Sequence, residues 1–194
     1  MRLVCATLVA ATILAGCPTP SHVKPTPFPA EVFDPEGFEE FPLSVGAYRR
    51  GRILRYAPGM SNYSVAYDRL DADLQHVVTL FYYPRASRMD EQYTAEKLGV
   101  LRAYPGAAFL SEERKLLWKD GYSFDAFFAV FEFDASLAGK DQRIRSWLIL
   151  AALPDRSFKV RSSAPAAQAS AADIGTLELL ERLPWWAHAR SIQR

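Results

Sequence analysis

The chain has 194 residues, 49% of them hydrophobic and 13% aromatic, with 23 Lys and Arg against 22 Asp and Glu. That is enough apolar weight for a packed core, and it excludes a disordered chain or a polytopic membrane protein. The charges nearly cancel, so no overall field draws in nucleic acid, whose binding depends on many neutralised phosphates; no nucleic-acid partner is expected.

Read from the N-terminus, Arg2 is a minimal basic region and Leu3 to Leu14 is a stretch without charge. Twelve residues at 1.5 Å each make about 18 Å, short of the roughly 30 Å hydrocarbon core, which suits an export signal better than a membrane-spanning helix. Leu14-Ala15-Gly16-Cys17 comes next. This tetrad resembles the lipobox of bacterial lipoproteins. The resemblance implies that residues 1–16 are a removed signal and that the Cys17 sulfur receives a diacylglyceryl group. Small Ala15 and Gly16 would admit the extended backbone to the signal peptidase, and the new amine is usually acylated in turn. It also implies a membrane partner through the lipid on Cys17, at the periplasmic face of the outer membrane. The alternative is an ordinary secretory signal, or an uncleaved anchor, with a chance cysteine. Losing Arg2 with the signal leaves a mature chain of zero formal charge. The remaining cysteine, Cys5, lies inside the signal, so the mature body has no disulfide, thiol nucleophile or thiolate metal site.

Residues 17–41 read as a tether. Pro18 to Pro42 holds seven of the thirteen prolines, which keep the backbone extended and semi-rigid, as in a spacer lifting a domain off a membrane. Phe28, Val32, Phe33 and Phe38 are apolar enough for the later part of the tether to pack on that domain.

Residues 42–186 then read as one domain, with 187–194 as a tail. Leu43–Tyr48 and Arg52–Tyr56 look like short strands joined through Gly51. Asn62–Asp68 alternates, with Tyr63, Val65 and Tyr67 on one face. Arg69–Asp73 is a polar turn, and His76–Tyr83 is a strand with apolar residues on both faces. Ser87-Arg88-Met89-Asp90 fits a capping box opening a helix to about Tyr104. Phe109–Lys119, Tyr122–Asp134 and Arg143–Leu153 are three long strand candidates, and Ser157–Ser162 is one more. Pro165 suits a helix start, with Ala167, Ala171, Ile174, Leu177 and Leu180 as one apolar stripe; Pro184 ends that helix and Trp185 begins the tail. The fold class expected is α+β: a mostly antiparallel sheet of about six to eight strands, with one inserted and one C-terminal helix packed on it. That order of elements loosely resembles the PsbP-like α+β sandwich, which implies no site residue here because no motif is shared.

Motifs for catalysis are missing from the sequence. His22, His76 and His188 are scattered, and there is no nucleophile elbow, P-loop, dinucleotide-binding glycine run or helical histidine pair; no enzyme, cofactor or metal is expected. Two clusters carry charge. Arg49, Arg50, Arg52 and Arg55 offer a candidate anion-contact surface, since guanidinium forks bind phosphate in pairs. In unbroken strand geometry Arg50 and Arg52 share one face and Arg49 and Arg55 the other, so one pocket would need a bulge; a charged edge that deters aggregation is the plainer reading. Asp68, Asp71 and Asp73 form an acidic turn lacking the glycine and distal glutamate of a calcium loop, and read as a hairpin turn. The dense aromatics (Tyr82, Tyr83, Tyr122, Phe124, Phe127, Phe128 and Trp147 among them) read as core, with an apolar cargo cavity as an alternative. The function expected is a membrane-anchored, non-catalytic accessory that binds another envelope protein. A carrier of a small apolar or anionic ligand and, further off, an envelope hydrolase are the alternatives.

Overall fold

A computed structural model describes residues 31–32, 41–56, 62–119 and 121–185. The lipobox residues Leu14, Ala15, Gly16 and Cys17, and His22 and His188, lie outside the described residues.

The fold is α+β, with one antiparallel sheet between two helices. The strands are β1 (Glu31–Val32), β2 (Ser44–Val45), β3 (Tyr48–Arg55), β4 (Tyr63–Leu70), β5 (Gln75–Pro84), β6 (Ala108–Lys119), β7 (Tyr122–Leu137), β8 (Lys140–Ala152) and β9 (Arg156–Pro165). Helix α1 (Met89–Ala103) lies between β5 and β6, and α2 (Ala169–Arg182) follows β9 through a 3-10 turn at Ala166–Gln168. The sheet order is β1-β3-β4-β5-β9-β8-β7-β6, with β2 paired to β3. Thus β1 and β6 stand at opposite edges, and β5–β9 joins two hairpin runs in the middle.

Alternation places Val78, Leu80, Tyr82, Phe158, Val160, Ile149 and Ala151 on one face, where α2 supplies Leu179 and Leu180, and Leu183 and Trp185 come after it. The opposite face carries Phe131, Phe133, Ile144, Leu148 and Leu150 against Tyr93 and Val100 of α1. Strand β7 is therefore apolar on both faces because α1 lies over one and Trp185, after α2, packs on the other. The β7–β8 hairpin is longer than its apolar pattern suggests, because Ala138 (φ 52°) and Gly139 (φ 77°) make a two-residue turn with both centres in the left-handed region. Such a turn matches the twist of the strands it joins, so the ladder runs on through polar residues.

Four local expectations need correction. Gly51 does not join two strands: the turn is at Gly46 (φ 59°) and Ala47, and Gly51 lies inside β3 where its pairing with β4 shifts register. Helix α1 has Arg88 at its N-cap position with no side-chain cap, so Ser87 does not form a capping box; Arg88 instead pairs with Asp90 and Glu91 of the first turn. Trp185 is core and no part of a tail, stacked on Phe158 at 4.8 Å between centroids and donating from Nε1 to the Leu180 carbonyl at 2.9 Å.

The fourth correction is the largest. Of the expected stripe Leu180 faces the sheet but Ala167, Ala171, Ile174 and Leu177 do not; Ile174 and Leu177 are 60% and 49% exposed. Buried with Leu180 are Ala172, Gly175, Thr176 and Leu179, a face centred on nearly the opposite side of the helix at 100° per residue. Gly175 and Thr176 face inward because α2 crosses the sheet there over polar groups, whereas Leu179 and Leu180 one turn on meet the apolar core.

Candidate functional site

The sheet face beneath α2 holds a continuous line of buried polar groups. The Tyr48 hydroxyl lies 2.7 Å from His76 Nδ1, and His76 Nε2 lies 2.7 Å from Ser162 Oγ. Ser162 Oγ lies 2.7 Å from Thr176 Oγ1, which donates to the Ala172 carbonyl at 2.8 Å. These four side chains come from β3, β5, β9 and α2, and all are buried.

Hydrogen accounting fixes the direction of the line. A carbonyl oxygen only accepts, so the single Thr176 hydrogen is spent on Ala172. Ser162 must then donate to Thr176, His76 Nε2–H must donate to Ser162, and Nδ1 is left to accept from Tyr48. The imidazole is therefore protonated on Nε2, and its burial keeps it neutral, with Nδ1 as the acceptor. Burial pushes its pKa down from 6.5 to about 4, with the Arg69 charge acting in the same sense. Burial also raises the Tyr48 phenol to about 12, so it stays a donor at neutral pH. Gly175 makes this possible: a Cβ there would run into the Tyr48 hydroxyl.

The second candidate is the β3 bulge. Arg50 lies opposite Tyr67 and Arg55 opposite Tyr63, on the face of the buried tyrosines, whereas Arg49 lies opposite Asp68 on the other. The register shift thus undoes the expected pairing of Arg50 with Arg52 and of Arg49 with Arg55. Arg50 donates from Nη1 to the Phe41 carbonyl at 2.6 Å and Arg55 is half-buried, while Arg49 and Arg52 are exposed. Arg49, Arg50, Gly51, Asp68 and Asp71 line an open groove of about 360 Å³. The Asp68 Oδ1 atom is buried there without a hydrogen bond, and burial holds its carboxyl above the usual range. Gly51 gives Asp68 its room, since a Cβ would come within 3.2 Å of Oδ2.

The acidic turn is occupied by its own backbone. Asp71 Oδ1 accepts from the Asp73 and Leu74 amides at 3.0 and 2.8 Å, and Oδ2 accepts from Arg69 Nε at 2.7 Å. These bonds hold its carboxyl below the usual range and leave a hairpin turn. No cluster of His, Cys, Asp and Glu suited to a metal ion occurs among the described residues.

Sequence reasoning reached His76 without its partners. Tyr48, Ser162 and Thr176 lie 28, 86 and 100 positions away, so no local spacing marks them. The one available signal is Gly175, a glycine inside a helical pattern, which costs stability unless something approaches closely.

Neither family models nor curated proteins match the chain. Among solved structures it is similar to the Ran-binding protein Mog1p of Saccharomyces cerevisiae, at 16% identity over 73% of this chain and 87% of that one, with a TM-score of 0.37. A likeness that distant assigns neither a family nor a function.

Proposed function

We propose that the chain is a lipid-anchored protein of the bacterial cell envelope, at the periplasmic face of the outer membrane, whose domain holds another envelope protein and transforms no substrate. The anchoring half rests on Leu14-Ala15-Gly16-Cys17. The binding half rests on one observation: α2 turns Ile174 and Leu177 to solvent in line with Ala167 and Ala171, and turns Gly175 and Thr176 inward. A helix serving only its own core has the reverse distribution. An outward aliphatic stripe suits a partner with an apolar surface of its own.

Two features weigh against the alternatives. An apolar cargo would sit between sheet and helix, and that space is filled by Phe41, Tyr82, Phe158 and Trp185, each at most 2% exposed. A hydrolase would need a base that meets solvent, whereas both His76 nitrogens are engaged inside the buried line. The carrier reading keeps one support, the Arg49–Asp68 groove, which is sized for a small anionic or zwitterionic ligand.

The test places a photo-crosslinking residue at Ile174 or Leu177 of the full-length protein in intact envelopes, with a third at exposed Lys140 as control. One defined adduct from the α2 positions and none from the control is expected; the same adduct pattern from all three would overturn the partner reading. Cys17→Ala should leave an unprocessed precursor that takes up no labelled palmitate, and equal labelling of wild type and variant would remove the anchor. Arg49→Gln with Arg52→Gln should abolish salt-sensitive binding to anionic vesicles if the exposed arginines touch headgroups. Unchanged binding would leave them the edge-protecting role.

A further inference from the structure

Strand β6 ends the sheet, with β7 on one side and no strand on the other among the described residues. It runs twelve residues, and its ladder with β7 is regular from Ser111 to Lys119 after a single irregularity between Phe109 and Ser111. Large apolar side chains stand out from this edge: Leu110, Leu116 and Trp118 are 46%, 51% and 67% exposed. Helix α1 bonds to β6 in its N-terminal half, where Lys97 Nζ binds Glu112 at 2.7 Å and the Tyr93 hydroxyl donates to the same carboxylate at 3.0 Å. A long edge of this kind is a template for another strand unless something blocks it.

The charges do not block it. At the middle stand Glu112, Glu113, Arg114 and Lys115. An edge built to keep copies apart would carry one sign. This one carries two acids followed by two bases, so read from its other end it is the same pattern with every sign reversed. Opposed residues in an antiparallel ladder share a face, so two copies related by a two-fold axis pair residues whose numbers differ by an even amount. Centred on Glu113, such a ladder sets Glu112 opposite Arg114 of the second copy, twice. Centred on Arg114, it sets Glu113 opposite Lys115 of the second copy, twice. Within one copy each of these acids and Arg114 has a partner of its own, Glu112 with Lys97 and Tyr93, Glu113 with Lys115 at 2.6 Å and Arg114 through Nε with Asp125 at 2.8 Å, so the ladder shares these charges between the copies and leaves no bare like-charged pair at its centre.

We propose that the domain pairs with a second copy of itself, β6 against β6 in antiparallel sense, with the Glu112–Lys115 segment as the complementary centre. The pairing extends one sheet across both copies. It brings the C-terminal half of β6, with Leu116 and Trp118, beside the N-terminal half of the other β6, to which that copy's α1 bonds. Strand β1, which leads toward Cys17, is at the far edge and stays clear of the contact. This pairing is independent of the α2 stripe.

The test is charge reversal with complementation. Two differently tagged full-length copies are co-expressed, extracted in a large excess of detergent, and one is retrieved while the other is quantified. Wild type should retrieve wild type. Glu112→Lys with Glu113→Lys makes the centre wholly basic, and Arg114→Glu with Lys115→Glu makes it wholly acidic. Each variant should lose self-retrieval at least tenfold, and the basic variant should retrieve the acidic one near the wild-type level. Undiminished self-retrieval by either variant, or no recovery in the mixed pair, overturns the proposal. Should a variant fail to fold, wild type alone decides the matter. Retrieval that falls between low and molar salt supports paired charges at the contact, and retrieval that holds or rises with salt rejects them.

Discussion

The same sheet is covered on its two faces by different means. Beneath α2 the contact is closed and directional: Tyr48, His76, Ser162 and Thr176 pass hydrogens along one line, flanked by Phe158 and Trp185 stacked at 4.8 Å. Beneath α1 the contact is aromatic at its centre and ionic at its rim. Tyr93 stacks on Phe127 at 4.7 Å and Tyr104 on Phe133 at 3.8 Å, while Lys97–Glu112 and Lys159–Glu96, at 2.7 and 2.9 Å, close the border. A buried hydrogen-bond line admits one helix orientation, because each hydrogen has one acceptor and an unpaired member costs its full desolvation. Stacked rings bordered by solvated ions admit small rotations at little cost.

The largest expected effect tests whether the α2 face carries the stability. Trp185→Ala should cost about 3–5 kcal/mol in chemical denaturation, since it empties a site between Phe124 and Phe158. A loss below about 1 kcal/mol would mean that the segment after α2 is peripheral.

Acid should loosen the same face. Above about pH 6.5 the His76 imidazole is neutral both folded and unfolded. Below it the unfolded chain binds a proton that the folded one refuses until about pH 4. Stability therefore falls across that window, by about 3 kcal/mol at 1.36 kcal/mol per pKa unit. In His76→Gln, compared with wild type over pH 7 to 4, that part of the slope should vanish; identical slopes would refute the assignment.

A paired glycine substitution compares the two helices directly. Gly175→Ala forces a methyl group against the Tyr48 hydroxyl and should cost about 1–3 kcal/mol. Gly99→Ala on α1 meets nothing within 4 Å and should stabilise by about 0.5–1 kcal/mol through helix propensity. Thermal melts of the two variants should move in opposite directions, and shifts of the same sign would erase the contrast. Smallest of all is Lys97→Ala, which removes an ion pair at the rim of α1 and should change stability by less than about 1 kcal/mol. A larger loss would show that the α1 border is as exacting as the buried line.

Wherever apolar periodicity alone was the signal, the order of elements was legible in the sequence. The alternation of Tyr63, Val65 and Tyr67 marked β4, and the doubly apolar run Phe127–Phe131 marked a strand covered on both faces. Local chemistry also settled the Asp71 turn, because its bonds reach no further than Leu74. Composition and the Leu14–Cys17 tetrad carry the anchoring expectation without help from the fold.

Tertiary structure decided whatever depends on which surface a segment meets. The helix after Pro165 displays an aliphatic stripe and a small-residue stripe on opposite sides, and periodicity alone favours the aliphatic one as the core side. Three long-range hydrogen-bonded partners of His76 reversed that choice, since a buried hydroxyl line needs Gly175 and Thr176 beneath it. The arginine cluster turned likewise on one extra residue in β3, which moved Arg55 to the face of Arg50. Register and helix orientation arise from contacts tens of residues apart, and those contacts leave no mark on the spacing of the residues that make them.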